Sequence, residues 1–155
     1  MKSDRQYDER LGVPLRWWVQ GTMLVASLWL AVVVALPGVV AWTISAVAMV
    51  LLALGLLAFG SARISVRDGV LRAGRAHIAV EHLGAVTALD AEETRRTAGR
   101  EADARAYLLL RPYLKRAVRM QVEDPRDPTP YWLVSTRHPD ELARVLAAIS
   151  DSPAG

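Results

Sequence analysis

The best candidate group of metal ligands in the sequence is a carboxylate cluster next to two prolines. Glu123, Asp124 and Asp127 lie within one short segment, and each aspartate directly precedes a proline. Carboxylate oxygens at this spacing could bind a hard cation. Alternatively, an aspartate before a proline stabilises a turn by accepting backbone hydrogen bonds. We favour the turn, and predict that the chain uses no metal and no cofactor.

Other familiar catalytic groups are sparse. His138 lies beside Arg137 and near Asp140, which suggests acid–base chemistry, but its position at the start of a predicted helix favours a role in or near the cap. His77 and His82 lie on or near a strand without partners at ligand spacing. The chain has no cysteine, which excludes thiol nucleophiles, thiolate metal sites and disulfides. It also lacks GxSxG, HExxH, P-loop and GxGxxG motifs, so we predict that it is not an enzyme.

A binding surface is suggested by the segment YWLVSTR near the C terminus. Side chains alternate between the two faces of a strand, so Tyr131 and Trp132 should point in opposite directions. One of them should enter the core, and the other should remain partly exposed. We therefore predict a contact with a protein partner that involves Tyr131, Trp132 and Arg137.

A second candidate binding group is a set of four arginines that follow a long apolar segment. Arg63, Arg67, Arg72 and Arg75 could attract anionic lipid headgroups at roughly 1 kcal/mol each. The alternative is that they only determine the orientation of the protein in a membrane. Elsewhere the basic residues are interleaved with acidic ones and form no dense stripe, so we predict no nucleic-acid partner.

The elements that position these residues begin with that apolar segment. The chain has 155 residues, of which 23% are charged, but the stretch 17–62 contains no charged residue and no histidine. A bilayer needs about 20 helical residues per crossing, so this stretch suits two helices, at about 17–36 and 39–60. Pro37-Gly38 supplies the turn between them. A signal peptide and a buried helical hairpin of a soluble protein are the alternatives.

The orientation of the predicted hairpin follows from its flanks. Basic residues lie on both outer sides and none lies in the turn, so the positive-inside rule predicts an inner-membrane protein with cytoplasmic N and C termini. Trp17 and Trp18 would anchor one interface and Trp42 the other. The flanking basic residues are Lys2, Arg5, Arg10, Arg16, Arg63, Arg67, Arg72 and Arg75.

The remaining chain predicts a small cytosolic β domain at 61–150, after an N-terminal cytosolic segment at 1–16. Alternating patterns indicate about seven short antiparallel strands, and Asp68-Gly69 is a strong hairpin signal. Residues 90–105 contain no large apolar side chain and are expected to form a solvated loop, with at most a turn of helix. An apolar stripe with period 3.6 predicts a helix at 139–149, followed by a tail at 151–155.

Strands followed by a single helix resemble the bacterial pleckstrin-homology-like domains, which are often tethered behind two transmembrane helices. Two stretches carry a closer resemblance, YDERLGVPLRWW and DPRDPTPYWLVSTRHPDELARVL. They are similar to the actinobacterial two-pass membrane proteins of domain of unknown function family 3093. This resemblance implies an α+β membrane protein and brings no catalytic activity with it.

The function predicted from the sequence is a non-enzymatic, membrane-tethered interaction or scaffold module with a protein partner of unknown identity. Two alternatives stay open. One is a module that senses anionic lipids through the four arginines, and the other is a metal-dependent enzyme built on the carboxylate cluster.

Overall fold

The structure, a computed structural model, describes residues 7–151, and this range divides into two compact units. Residues 12–61 form a helical unit, and residues 7–11 together with 62–151 form a β unit. Lys2, Arg5 and the predicted tail beyond 151 lie outside the described residues.

The helical unit consists of two long apolar helices joined by a tight turn. Helix α1 spans Leu15–Ala35 and helix α2 spans Gly38–Phe59. Both are long and apolar enough to cross a membrane, and few of their side chains are buried within the protein. Pro37 precedes the first residue of α2, where its missing N–H costs no helical hydrogen bond. The two helices and the turn between them confirm the prediction to within two residues at each end.

The two helices meet along their length through aromatic and small residues. Trp17 stacks on Phe59 with ring centroids 6.5 Å apart, and Trp29 contacts Trp42 at 5.4 Å. Near the Trp17 end, Gly21 lets α2 approach closely, because a Cβ there would lie 2.8 Å from the side chain of Leu52. Glycine at a helix contact is a common device for close packing of apolar helices.

The β unit contains eight strands in two four-stranded sheets and two further helices. The first sheet has the order β1-β2-β3-β4, and the second has the order β5-β7-β8-β6. All neighbours are antiparallel except β6 and β8, which are parallel and depart from the antiparallel prediction. The strands are β1 (Tyr7–Arg10), β2 (Arg63–Arg67), β3 (Val70–Ala73), β4 (Ala76–Ala79), β5 (Leu83–Leu89), β6 (Tyr107–Leu109), β7 (Ala117–Val122) and β8 (Tyr131–Ser135).

Strand β1 is the element that the sequence did not predict. It pairs with β2 so that Arg10 lies opposite Arg63, and the N–H of Leu11 continues the ladder to the carbonyl of Ala62 at 2.9 Å. The helical unit is therefore inserted between two strands that are neighbours in one sheet.

Local signals explain the tight turn and the helices of the β unit. Asp68 and Gly69 both have positive φ, as a two-residue hairpin turn requires. Helix α3, at Ala91–Ala98, occupies much of the predicted loop, and its first turn carries a capping box between Asp90 and Glu93. A turn of 3-10 helix spans Val80–His82, and helix α4 spans Pro139–Ser150. The apolar stripe of α4 packs on the core as predicted.

The main core lies on the inner face of both sheets. Strand β2 contributes Ile64 and Val66, β3 contributes Leu71, and α4 contributes Leu142 and Leu146, all fully buried. A smaller cluster covers the opposite face of the second sheet. The second sheet is therefore buried on both faces around β8.

We expect the β unit to fold without the helices if its two pieces are joined directly. Replacement of residues 12–61 by an Asn-Gly turn should give a soluble domain, because the ladder already brings Leu11 and Ala62 into hydrogen-bonding contact. The matched control begins at Ala62 and lacks β1. That control loses the buried side chains of Tyr7 and Leu11, each of which contributes roughly 2 kcal/mol.

Thermal unfolding followed by circular dichroism checks this expectation. The joined variant should unfold cooperatively, and the truncated variant should unfold at a lower temperature or aggregate. Equal stability of the two variants would contradict the role assigned to β1.

Candidate functional site

The outer face of the first sheet carries a concentration of arginines. In β2 and β3 the side chains alternate, so that Ile64, Val66 and Leu71 are buried while the residues between them face solvent. The register lines up residues of neighbouring strands on this outer face. Its polar members are Asp8, Arg10, Arg63, Ser65, Arg67, Arg72 and His77.

Three of these arginines surround Ser65. Arg63 and Arg67 lie two residues before and after it on β2, about 7 Å away along the strand. Arg72 is its register partner on β3, about 5 Å across the sheet. These residues line an open groove of about 560 Å³, here called the arginine groove. Its lining residues are Arg63, Ser65, Arg67, Asp68, Val70, Arg72 and Gly74.

Two of the groove arginines bind the carboxylate of Asp8. The Nε of Arg63 donates to Oδ1 of Asp8 at 2.5 Å, and its Nη2 donates to Oδ2, which makes the contact bidentate. The Nη2 of Arg67 lies 3.8 Å from the same Oδ2. The hydrogen bonds from Arg63 to Asp8 raise the pKa of this guanidinium above its ordinary value.

The four arginines predicted to meet lipid headgroups therefore fall into two groups. Arg63, Arg67 and Arg72 are exposed around the groove, whereas Arg75 lies in the turn between β3 and β4 and does not line it. Arg72 and Arg75 form no ion pair with any acidic residue of the described range. Asp68 lines the groove together with Arg72 but forms no ion pair with it.

The prediction that one of Tyr131 and Trp132 remains partly exposed is wrong, because both side chains are buried, at 5% and 4% exposure. Strand β8 is a central strand with covered faces. Trp132 enters the main core and packs against Tyr107 at 4.8 Å. On the other face, the ring of Tyr131 lies 4.5 Å from the guanidinium of Arg119.

The hydroxyl of Tyr131 is also occupied within the fold. It accepts a hydrogen bond from the N–H of Asp103 at 3.0 Å, in the segment between α3 and β6. Ala98, Ala106 and Leu110 of the same region pack against the small core cluster that contains Tyr131. Neither aromatic side chain is available to a partner.

The third predicted partner residue, Arg137, joins the C-terminal part of the chain to β1. Its Nη1 donates to the carbonyl of Arg10 at 3.0 Å, and its backbone N–H donates to Oε1 of Glu9 at 2.9 Å. Glu9 is 8% exposed, and its Oε2 also accepts from the hydroxyls of Tyr7 and Thr136. Burial raises the pKa of Tyr7, and the neighbouring Glu9 carboxylate adds to the effect.

The carboxylate cluster forms turns, as favoured over a metal site. Asp124 accepts from the N–H of Arg126 at 2.9 Å, and Asp127 accepts from the N–H of Thr129 at 2.9 Å. The hydrogen bonds from Thr129 lower the pKa of Asp127. Within residues 7–151, no group of three or more His, Asp or Glu side chains is arranged to hold a metal ion.

The histidines singled out in the sequence belong to the β unit, and the tryptophans belong to the helical unit. His138 is at the N-cap of α4, as predicted, while His77 is exposed on β4. Trp17 and Trp18 are in the first turn of α1, and Trp42 lies one turn after the start of α2. The tryptophans therefore mark opposite ends of the helical pair.

Comparison with known proteins gives one match. The family model described as Protein of unknown function (DUF3093) matches residues 6–146. No curated protein and no solved structure matches the chain significantly. The matched range includes both helices, both sheets and most of α4.

We expect the buried carboxylate of Glu9 to be a major stabilising contact. Glu9→Ala leaves the hydroxyls of Tyr7 and Thr136 and the N–H of Arg137 without their acceptor, so it should cost about 2–3 kcal/mol. For a domain of this size, that loss lowers the melting temperature by about 10 °C. The control is Glu81→Ala, because Glu81 is exposed. Thermal unfolding in detergent measures both, and an equal effect of the two changes would refute the proposed stabilisation.

Proposed function

The chain belongs to the family described as Protein of unknown function (DUF3093), and we propose that it is a two-pass inner-membrane protein whose β unit is a non-enzymatic module for anionic lipid headgroups. The observation that carries the proposal is the arginine groove, which lies on the sheet that connects directly to both apolar helices.

In the proposed topology, the chain before α1 and the chain after α2 both lie in the cytoplasm. Because β1 and β2 are paired at Arg10 and Arg63, the chain leaves the β unit and returns to it at the same place. Two crossings of the membrane return the chain to the side on which it started, whereas a single crossing would leave β1 and β2 on opposite sides. Arginines flank both outer ends of the helices and none lies in the Pro37-Gly38 turn, which favours a cytoplasmic β unit.

The groove arginines follow the second apolar helix closely in the sequence. Four residues separate β1 from α1, and three separate α2 from β2. Arg63 is the fourth residue after the end of α2, so it is a juxtamembrane residue if α2 spans the bilayer. Juxtamembrane arginines contribute roughly 1 kcal/mol of attraction each to an anionic membrane surface.

We further propose that the β unit is pleckstrin-homology-like. Two small sheets followed by a single helix that packs on β5 and β7 support this assignment. Lipid recognition is favoured over a protein-binding scaffold because Tyr131 and Trp132 are buried, while three arginines are exposed on one face.

The topology can be tested by single cysteines, because the chain has none of its own. In intact cells, a membrane-impermeant maleimide should label Leu36→Cys in the turn. It should label Glu81→Cys in the β unit only after the membrane is permeabilised. The reverse pattern, or labelling of both positions from outside, would contradict the proposed orientation.

The lipid interaction predicts a stabilisation that depends on salt. In maltoside micelles, phosphatidylglycerol should raise the melting temperature of the full chain more than phosphatidylcholine, and 1 M salt should abolish the difference. Arg67→Gln with Arg72→Gln should increase the lipid fraction needed for half of the effect by about 30-fold, since each arginine contributes roughly 1 kcal/mol. The same stabilisation by both lipids would count against the proposal.

A further inference from the structure

Asp8 occupies the arginines of the groove in the manner of a bound anion. Its two carboxylate oxygens accept from two donors of Arg63, and Arg67 approaches the same carboxylate at 3.8 Å. The arginine side chains remain 59% and 45% exposed, while Asp8 is 20% exposed. The two guanidiniums are therefore already arranged to bind an oxyanion from solvent in the position that the Asp8 carboxylate occupies.

The third arginine and the serine complete this arrangement. Arg72 forms no ion pair in the described range, and the hydroxyl of Ser65 forms no hydrogen bond there. Ser65 lies between Arg63 and Arg67 on β2 and opposite Arg72 on β3. Three guanidiniums and one hydroxyl thus line the same open volume, with Asp68 as the one acidic residue among its lining.

We infer that the arginine groove is a specific site for a phosphate group, and that Asp8 is a built-in competitor for it. The inference rests on the proposed lipid function and names the ligand chemistry. A phosphate accepts bidentate hydrogen bonds from arginine and offers oxygens in several directions, so it can engage Arg63, Arg72 and Ser65 together. A carboxylate has only two oxygens in one plane, and both oxygens of Asp8 already accept hydrogen bonds from Arg63.

Asp8 can give way without disruption of the sheet. Its backbone is held by pairing with Ser65, so rotation of the side chain is enough to free Arg63. The side chain of Arg63 is 59% exposed, so water, salt and other oxyanions compete with Asp8 for its guanidinium. Phosphate is therefore able to displace the carboxylate, and the competition lowers the affinity by about fivefold.

Arginine-to-lysine changes separate a defined phosphate site from attraction by charge alone. The full chain in maltoside micelles is titrated with phosphatidylglycerol, with oleate at equal charge, and with inorganic phosphate against chloride at equal ionic strength. The readout is the concentration that gives half of the thermal stabilisation. The melting temperature without ligand shows whether each variant folds.

Arg63→Lys with Arg72→Lys keeps both charges but loses the planar fork, and should weaken phosphatidylglycerol binding about tenfold. Arg63→Gln with Arg72→Gln, the glutamine pair, also removes both charges and should weaken binding about 30-fold. Asp8→Asn should strengthen binding about fivefold, and it still reports on the site if the arginine pairs fail to fold. Arg75→Lys is the matched control outside the groove and should change binding less than twofold.

The outcomes distinguish the two levels of the proposal. The phosphate site is wrong, and only attraction by charge remains, if the lysine pair binds phosphatidylglycerol as the wild type does while the glutamine pair does not. The same conclusion follows if oleate stabilises the protein as well as phosphatidylglycerol does. If neither pair changes the response to lipid, the lipid function itself fails. If inorganic phosphate also stabilises the protein and the variants rank in the same order of affinity, the site is supported and its ligand is a soluble phosphate. If only phosphatidylglycerol stabilises the protein, the site is supported and its ligand is a lipid headgroup.

Discussion

The pairing of β1 with β2 is the contact on which the rest of this structure depends. These strands are separated in the chain by both long helices, yet they lie side by side with Arg10 opposite Arg63. The pairing brings Tyr7 and Leu11 into the core and carries Asp8 to the arginines of β2. It also makes the helical pair an insertion into a sheet, so the two ends of that insertion are held at one place.

The two carboxylates of β1 show how environment changes the role of one chemical group. Glu9 points inward, where water is excluded, and its oxygens are satisfied by donors from Tyr7, Thr136 and Arg137. A buried carboxylate without such donors would be costly, so this contact is structural. Asp8 points outward to Arg63, in competition with water and salt, so its contact is exchangeable. Alternation along a strand of four residues thus places one carboxylate in the core and the other on the arginine-rich outer face.

Much of the fold follows from signals that are local in the chain. The length of the uncharged stretch predicted two helices, the Asp68-Gly69 turn required positive φ, and the stripe at Leu142 and Leu146 predicted α4. Helix α3 carried a local signal as well, the Asp90–Glu93 capping box, but its lack of a large apolar residue favoured a loop. Strand β1 carried almost no signal, because its partner lies beyond both helices and its alternating residues are mostly polar.

The sequence by itself determined the uncharged helical pair, the absence of thiol chemistry, the tight turns and the number of arginines that follow the helices. Only the tertiary structure decided that Tyr131 and Trp132 are both buried, and that Arg63, Arg67 and Arg72 share a groove while Arg75 does not. Alternation along a strand says which side chains share a face, but whether a face is covered depends on elements distant in the chain. For β8 those elements cover both faces, whereas the outer face of β2 and β3 remains open to solvent.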